Sequence, residues 1–114
     1  PTKPQPDLPR LVLDRNHPDR VAVNDTAVTL TPYPYELLRL LAQNAGRLVG
    51  YREIDEALWP DAKVEPQQIS AHKRSVVRAL AKVIGLERAK KLVETVPRRG
   101  LRFNLPPANI RWKN

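Results

Sequence analysis

The sequence predicts an α+β domain, and three observations carry that reading. Short runs rich in Val, Leu and Thr occupy the first thirty residues, apolar residues recur at helical spacing through the middle, and two apolar runs flank a turn near the end. LVLD (11–14), RVAV (20–23) and AVTL (27–30) are the strand candidates, with Asn24-Asp25 as the tight turn between the second and third. Thr31 is placed to cap a helix whose first position is Pro32, where a missing N–H costs nothing. Leu37, Leu38, Leu41 and Ala45 give that helix its buried face, and Gly46 stops it. A shorter helix fits 51–58, with Ile54, Leu58 and Trp59 turned inward and Pro60 ending it. PDAKVEP is a loop, and a third helix runs from about Gln67 to Ile84, before Gly85. The strands LVETV and LRFNL close the domain around a turn at Pro97 to Gly100.

The domain therefore spans 11–105. Residues 1–10, proline-rich and without periodicity, read as a linker or disordered end, and 106–114 as a flexible basic tail. A chain of 114 residues supports one modest core. No apolar run approaches the roughly 20 residues that cross a bilayer. The lack of cysteine excludes disulfides, thiolate metal sites and a cysteine nucleophile, and fits a cytoplasmic location. The absence of methionine and the start at Pro1 suggest a piece of a longer protein.

The net charge of +8 is unevenly spread. Residues 1–57 hold seven Lys/Arg against eight Asp/Glu, whereas 58–114 hold thirteen against four. A basic half mounted on a neutral half points to a polyanion, and nucleic acid is the first expectation.

The third helix sharpens it. With Ile69 at zero and 100° per residue, Val76, Leu80, Val83 and Ile84 fall within about 60° of it. Gln67, Arg74, Arg78 and Lys82 fall on the opposite stripe, with Ser70 and Ser75 on its shoulders. One stripe packs. The other offers cations and short hydrogen-bonding groups of the kind that read base edges in a major groove. Lys73 falls inside the packed stripe, at about 40°, where it either snorkels to the edge or marks an irregular helix. In the terminal hairpin, Arg98 and Arg99 stand side by side at the tip, where clustered like charge is unfavourable unless an anion neutralises it.

Short strands, three helices and a terminal hairpin describe a winged helix-turn-helix. VTLTPYPYELLRLLAQNAGRLVGYREIDEALWP, with Leu30, Thr31, Leu37, Leu38, Gly46, Ile54 and Trp59 as landmarks, resembles the OmpR/PhoB-type effector domains of response regulators and of CadC/ToxR-like activators. ETVPRRGLRF resembles their wing, with Thr95, Val96, Gly100, Arg102 and Phe103 in place. The chain departs from the pattern at Pro34, Gly50, Tyr51 and Leu101, and at Lys73, where an apolar residue is usual.

The resemblance implies sequence-specific binding of double-stranded DNA, with the third helix in the major groove and the wing at the minor groove. Gln67, Ser70, Arg74, Ser75, Arg78 and Lys82 would then be the contacts of the helix, and Arg98, Arg99 and Arg102 those of the wing. Tyr51 and Arg52 would meet a phosphate at the free N–H groups opening the second helix. It also implies RNA polymerase as a partner of the loop 60–66, and tandem self-association on DNA.

Enzymatic readings are weak. His17 and His72 are far apart and unsupported by cysteine, so no metal or cofactor is expected, and His72 reads as a boundary side chain. Glu53, Asp55 and Glu56 fit a charged helix face better than catalysis. The alternative from another class is a protein-interaction module whose basic face docks an acidic partner. Such a face should expose apolar anchors at its centre, and this one exposes Arg, Gln and Ser.

Overall fold

Two small sheets bracket a bundle of helices. The computed structural model describes residues 5–17, 20–59 and 66–113. In chain order these form β1 (Leu11–Asp14), β2 (Arg20–Val23), β3 (Thr26–Thr29), α1 (Pro32–Gln43), β4 (Leu48–Gly50), α2 (Tyr51–Leu58), α3 (Pro66–Ile84), α4 (Leu86–Leu92), β5 (Val93–Val96) and β6 (Gly100–Phe103). A 3-10 turn at Pro107–Asn109 and a last strand, β7 (Ile110–Lys113), complete them. The loop 60–66, expected to meet RNA polymerase, lies outside the described residues up to Pro66, which opens α3. Among the described residues no helix is long and apolar enough to cross a membrane.

The first sheet has the order β3-β2-β1-β7 and the second β4-β6-β5. Asn24 and Asp25 both adopt positive φ, 50° and 67°, the backbone of a tight hairpin turn between β2 and β3. One face of each strand is buried: Leu11, Leu13, Val21, Val23 and Val28 meet Leu37, Leu38 and Leu41 of α1 in a single core. Tyr35 is buried with them, and its hydroxyl donates to the Asp14 carbonyl at 3.1 Å, tying α1 to β1. Thr31 stands at the N-cap of α1, but its side chain makes no capping bond there. The helix ends at Gln43, where the Asn44 side chain donates to the Leu40 carbonyl.

The structure departs from the sequence-based expectation in four places. Leu86–Leu92 is a fourth helix, started by Gly85 at φ 90° and burying Ala89 and Leu92. With seven residues and an exposed Leu86 it has too short an apolar stripe to read. Leu48–Gly50 is a strand, paired antiparallel with β6. Residues 106–113 are not a loose basic tail. Ile110 to Lys113 pair in parallel with Leu11 to Asp14, and the Arg15 guanidinium lies 5.2 Å over the Trp112 ring. Nor are residues 5–10 a free linker, because Asn109 holds them.

Asn109 is 3% exposed and fully engaged. Its side-chain oxygen accepts from the Gln5 N–H at 2.8 Å, and its amide donates to the carbonyls of Gln5, Leu8 and Pro9. One side chain thus staples the segment Gln5 to Pro9 to the turn before β7, which charge and proline content could not reveal. Replacing it leaves several polar groups unpaired, each costing about 1–3 kcal/mol if it stays buried. Asn109→Ala should lower stability by about 2 kcal/mol in urea denaturation, whereas an unchanged midpoint would show that the staple carries no weight.

Candidate nucleic-acid interface

The candidate interface is built from α3 and the β5–β6 hairpin. Along α3, Ile69, Val76, Val77, Ala79 and Leu80 are buried against the core. Gln67, Ser70, Arg74, Ser75, Arg78 and Lys82 are all exposed, so the two stripes of the helical wheel are present in three dimensions. None of these cations is ion-paired among the described residues. The Ser75 hydroxyl donates back to the Ala71 carbonyl at 3.3 Å, which leaves its lone pairs free to accept.

Three rings fix α3 against the helices before it. Trp59, at the end of α2, stacks on Tyr33 of α1 at 5.2 Å and on His72 of α3 at 5.5 Å, and Tyr33 and His72 are 5.5 Å apart. Trp59 therefore sits at the margin of the core rather than within it, and His72 is half-buried, as a boundary residue should be. Burial pushes the His72 imidazole below its ordinary range and favours the neutral ring. Its partners are aromatic rather than metal ligands, and among the described residues no cluster of His, Asp and Glu could hold a metal ion.

The wing turns through Pro97, Arg98 and Arg99, with the Arg99 N–H donating to the Val96 carbonyl at 3.0 Å. Arg98 adopts φ 65°, a left-handed conformation that costs a residue with a Cβ about 1–2 kcal/mol. Both tip arginines are exposed and free of carboxylate partners among the described residues. Arg102 differs: its guanidinium lies 3.7 Å from Glu94 across the hairpin and its Nε is buried without a partner.

Gly100 serves the fold by close approach. A Cβ there would stand 2.0 Å from the Val49 carbonyl oxygen and 2.8 Å from the Gly50 Cα, so β6 can lie on β4 only without a side chain. One residue on, the Tyr51 N–H donates to the Arg99 carbonyl at 3.2 Å. The first of the N–H groups expected to be free at the start of α2 is therefore spent on the wing. Glu53 occupies the same turn, its carboxylate held below the usual range by hydrogen bonding to Arg47 and by the Gly50 N–H. Arg52 remains extended into solvent, 93% exposed and 4.0 Å from Glu56.

Sequence reasoning noticed Lys73 without giving it a contact and passed over Lys90. Lys73 is half-buried beside the wing and its ammonium donates to the Thr95 hydroxyl. A charge on the packed stripe was the signal for Lys73, while Lys90 gave none, since α4 was not foreseen.

Two substitutions separate the wing's structural and chemical roles. Gly100→Val should destabilise the domain by about 3 kcal/mol or more, because the clash involves backbone that cannot step aside. Arg98→Asn should instead hold or raise stability, by up to about 1 kcal/mol, since Asn tolerates positive φ. Melting curves decide both, and a tolerated valine would refute the close approach.

Comparison with known proteins agrees with this geometry. Residues 25–103 match the family described as "Transcriptional regulatory protein, C terminal". The transcriptional regulator HilA of Salmonella typhi is 25% identical over 83 residues, which are 73% of this chain but 14% of that protein. The DNA-binding domain of CadC from E. coli has a TM-score of 0.66 at 23% identity, covering 77% of this chain and 80% of that one. The DNA-binding domain of the response regulator AdeR, solved in complex with an intercistronic region, has a TM-score of 0.71 at 12% identity, covering 85% of this chain and 96% of that one. The two structures establish the fold, and the family match extends over most of it. The chain belongs to the family described as "Transcriptional regulatory protein, C terminal", and it has the winged-helix fold of those two domains.

Proposed function

We propose that this chain is the sequence-specific, double-stranded DNA-binding output domain of a bacterial-type transcription regulator, with α3 in the major groove and the wing at the adjacent minor groove. The observation that carries the reading is the exposed face of α3, where Gln67, Ser70, Arg74, Arg78 and Lys82 stand opposite the buried stripe without carboxylate partners among the described residues. A major groove roughly 12 Å wide admits one helix, and Arg and Gln present the bidentate donors and acceptors that distinguish base pairs. Arg98 and Arg99 suit the narrow, strongly negative minor groove next to it. Arg102, engaged by Glu94, stiffens the wing beside them, and Arg52 with Tyr51 flanks the interface on the α2 side. The AdeR domain, solved in complex with an intercistronic region, supports a nucleic-acid partner for this fold. Tandem binding of two copies on repeated sites, in the cytoplasm where duplex DNA lies, belongs to the same reading.

Salt dependence and base preference test it together. With about five to seven phosphates neutralised, log K should fall with log salt at a slope of roughly −4.5 to −6 on a duplex selected from a random pool. Arg74→Ala or Arg78→Ala should cost about 1–3 kcal/mol on that duplex and relax discrimination at particular base pairs. A slope near zero would favour docking of an acidic protein. Equal weakening on all sequences would make both arginines phosphate anchors rather than readers.

A further inference from the structure

Between α3 and the wing lies a groove of about 400 Å³, lined from α3 by Lys73, Arg74 and Val77, from α4 by Lys90 and the exposed Leu86, and from β5 by Thr95. It sits between the helix assigned to the major groove and the hairpin assigned to the minor groove. On one face of a duplex those two grooves are separated by a single sugar-phosphate strand, so that strand has to cross this opening.

We propose that the groove is a seat for one DNA backbone phosphate, with Lys73 and Lys90 as its paired cationic clamp, Thr95 as a hydroxyl donor and Leu86 as an apolar rim against a deoxyribose. The proposal rests on the DNA-binding reading above and adds to it two residues on the wall between the reading elements. The chemistry of the groove favours an anion. Lys73 is half-buried, and its amine is held below the ordinary lysine range first by that burial and then by the charge of Lys90. Lys73 and Lys90 share the space with Arg74 and Arg78, and no carboxylate pairs with any of the four among the described residues. Glu94 points the other way, toward Arg102 and Asn104. A phosphate would relieve the repulsion and meet charge-assisted hydrogen bonds from both ammonium groups. The Lys73–Thr95 hydrogen bond holds the ammonium at the mouth rather than letting it swing into solvent. Because Lys73 is anchored in α3 and Thr95 in the wing, one phosphate would also set the spacing between the two reading elements.

The test uses the whole 114-residue chain and a selected duplex in which single phosphates are replaced, one at a time, by neutral methylphosphonates. The wild-type protein should lose about tenfold in affinity, or 1.4 kcal/mol, at one linkage between the helix site and the wing site. Lys73→Met with Lys90→Gln should keep the base-pair preference and lose sensitivity at that linkage, whereas Arg98→Ala with Arg99→Ala should keep it. Lys90→Gln alone, at an exposed position, should blunt the effect without touching the fold. Equal sensitivity of the wild type and the lysine variants at every linkage would overturn the phosphate seat while leaving DNA binding intact. Failure of the wild type to bind any duplex would overturn both.

Discussion

At Gly100 the backbone of β6 comes so close to β4 that a Cβ would stand 2.0 Å from the Val49 carbonyl oxygen, and the functional edge of the domain is organised around that approach. It lets Gly100 pair with Gly50, the residue that caps α2. The next N–H, that of Tyr51, reaches the Arg99 carbonyl and ties the wing tip to the first turn of α2. The end of α2 is in turn locked to α3 through the rings of Trp59 and His72. A continuous chain of short contacts therefore links the tip arginines to the helix that faces them. The wing is a braced arm rather than a free hairpin, and bracing reduces the ordering cost that binding would otherwise carry.

Charge is distributed with the same logic. On the side of α2 and the first sheet some cations have local partners, Arg47 with Glu53, Arg39 with Glu36 and Arg10 with Asp25, while Arg15, Arg20, Arg111 and Lys113 have none among the described residues. Such exposed pairs contribute little to stability, but they neutralise the surface where they occur. On α3, α4 and the wing tip, Arg74, Arg78, Lys82, Lys90, Arg98 and Arg99 have no such partners among the described residues. These six lie on α3, on the wing and on the helix between them in the chain, and Arg98 is held there at the expense of a left-handed backbone. Strain of that kind persists where the surrounding structure over-determines it, here through the Val96 and Tyr51 hydrogen bonds on either side of the tip.

How much of this was legible depended on whether the signal was local. The α3 stripes follow from a 3.6-residue period over nineteen residues and were readable to within a residue of their ends. The Asn24-Asp25 turn and the wing likewise announce themselves through turn chemistry. Non-local pairings were not legible. β4 is three residues long and exists because β6 lies beside it, and β7 exists because β1 offers it an edge. Asn109 looks like any loop asparagine until its partners, about a hundred positions earlier, are brought to it. At the interface, the exposed cations of α3 and the wing were visible in the sequence. The N–H of Tyr51 and the pairing of Lys73 with Lys90 across a groove depend on tertiary packing alone.

In the proposed complex one helix reads the major groove while the braced wing occupies the minor groove beside it. Methylation protection on a selected duplex measures both at once, because dimethyl sulfate reports guanine N7 in the major groove and adenine N3 in the minor groove. A block of protected guanine N7 positions is expected, with a separate block of protected adenine N3 positions about five base pairs away, half a helical turn. The second block should vanish in Arg98→Ala with Arg99→Ala while the first persists. Protection confined to one groove, or loss of both blocks together in that variant, would contradict it.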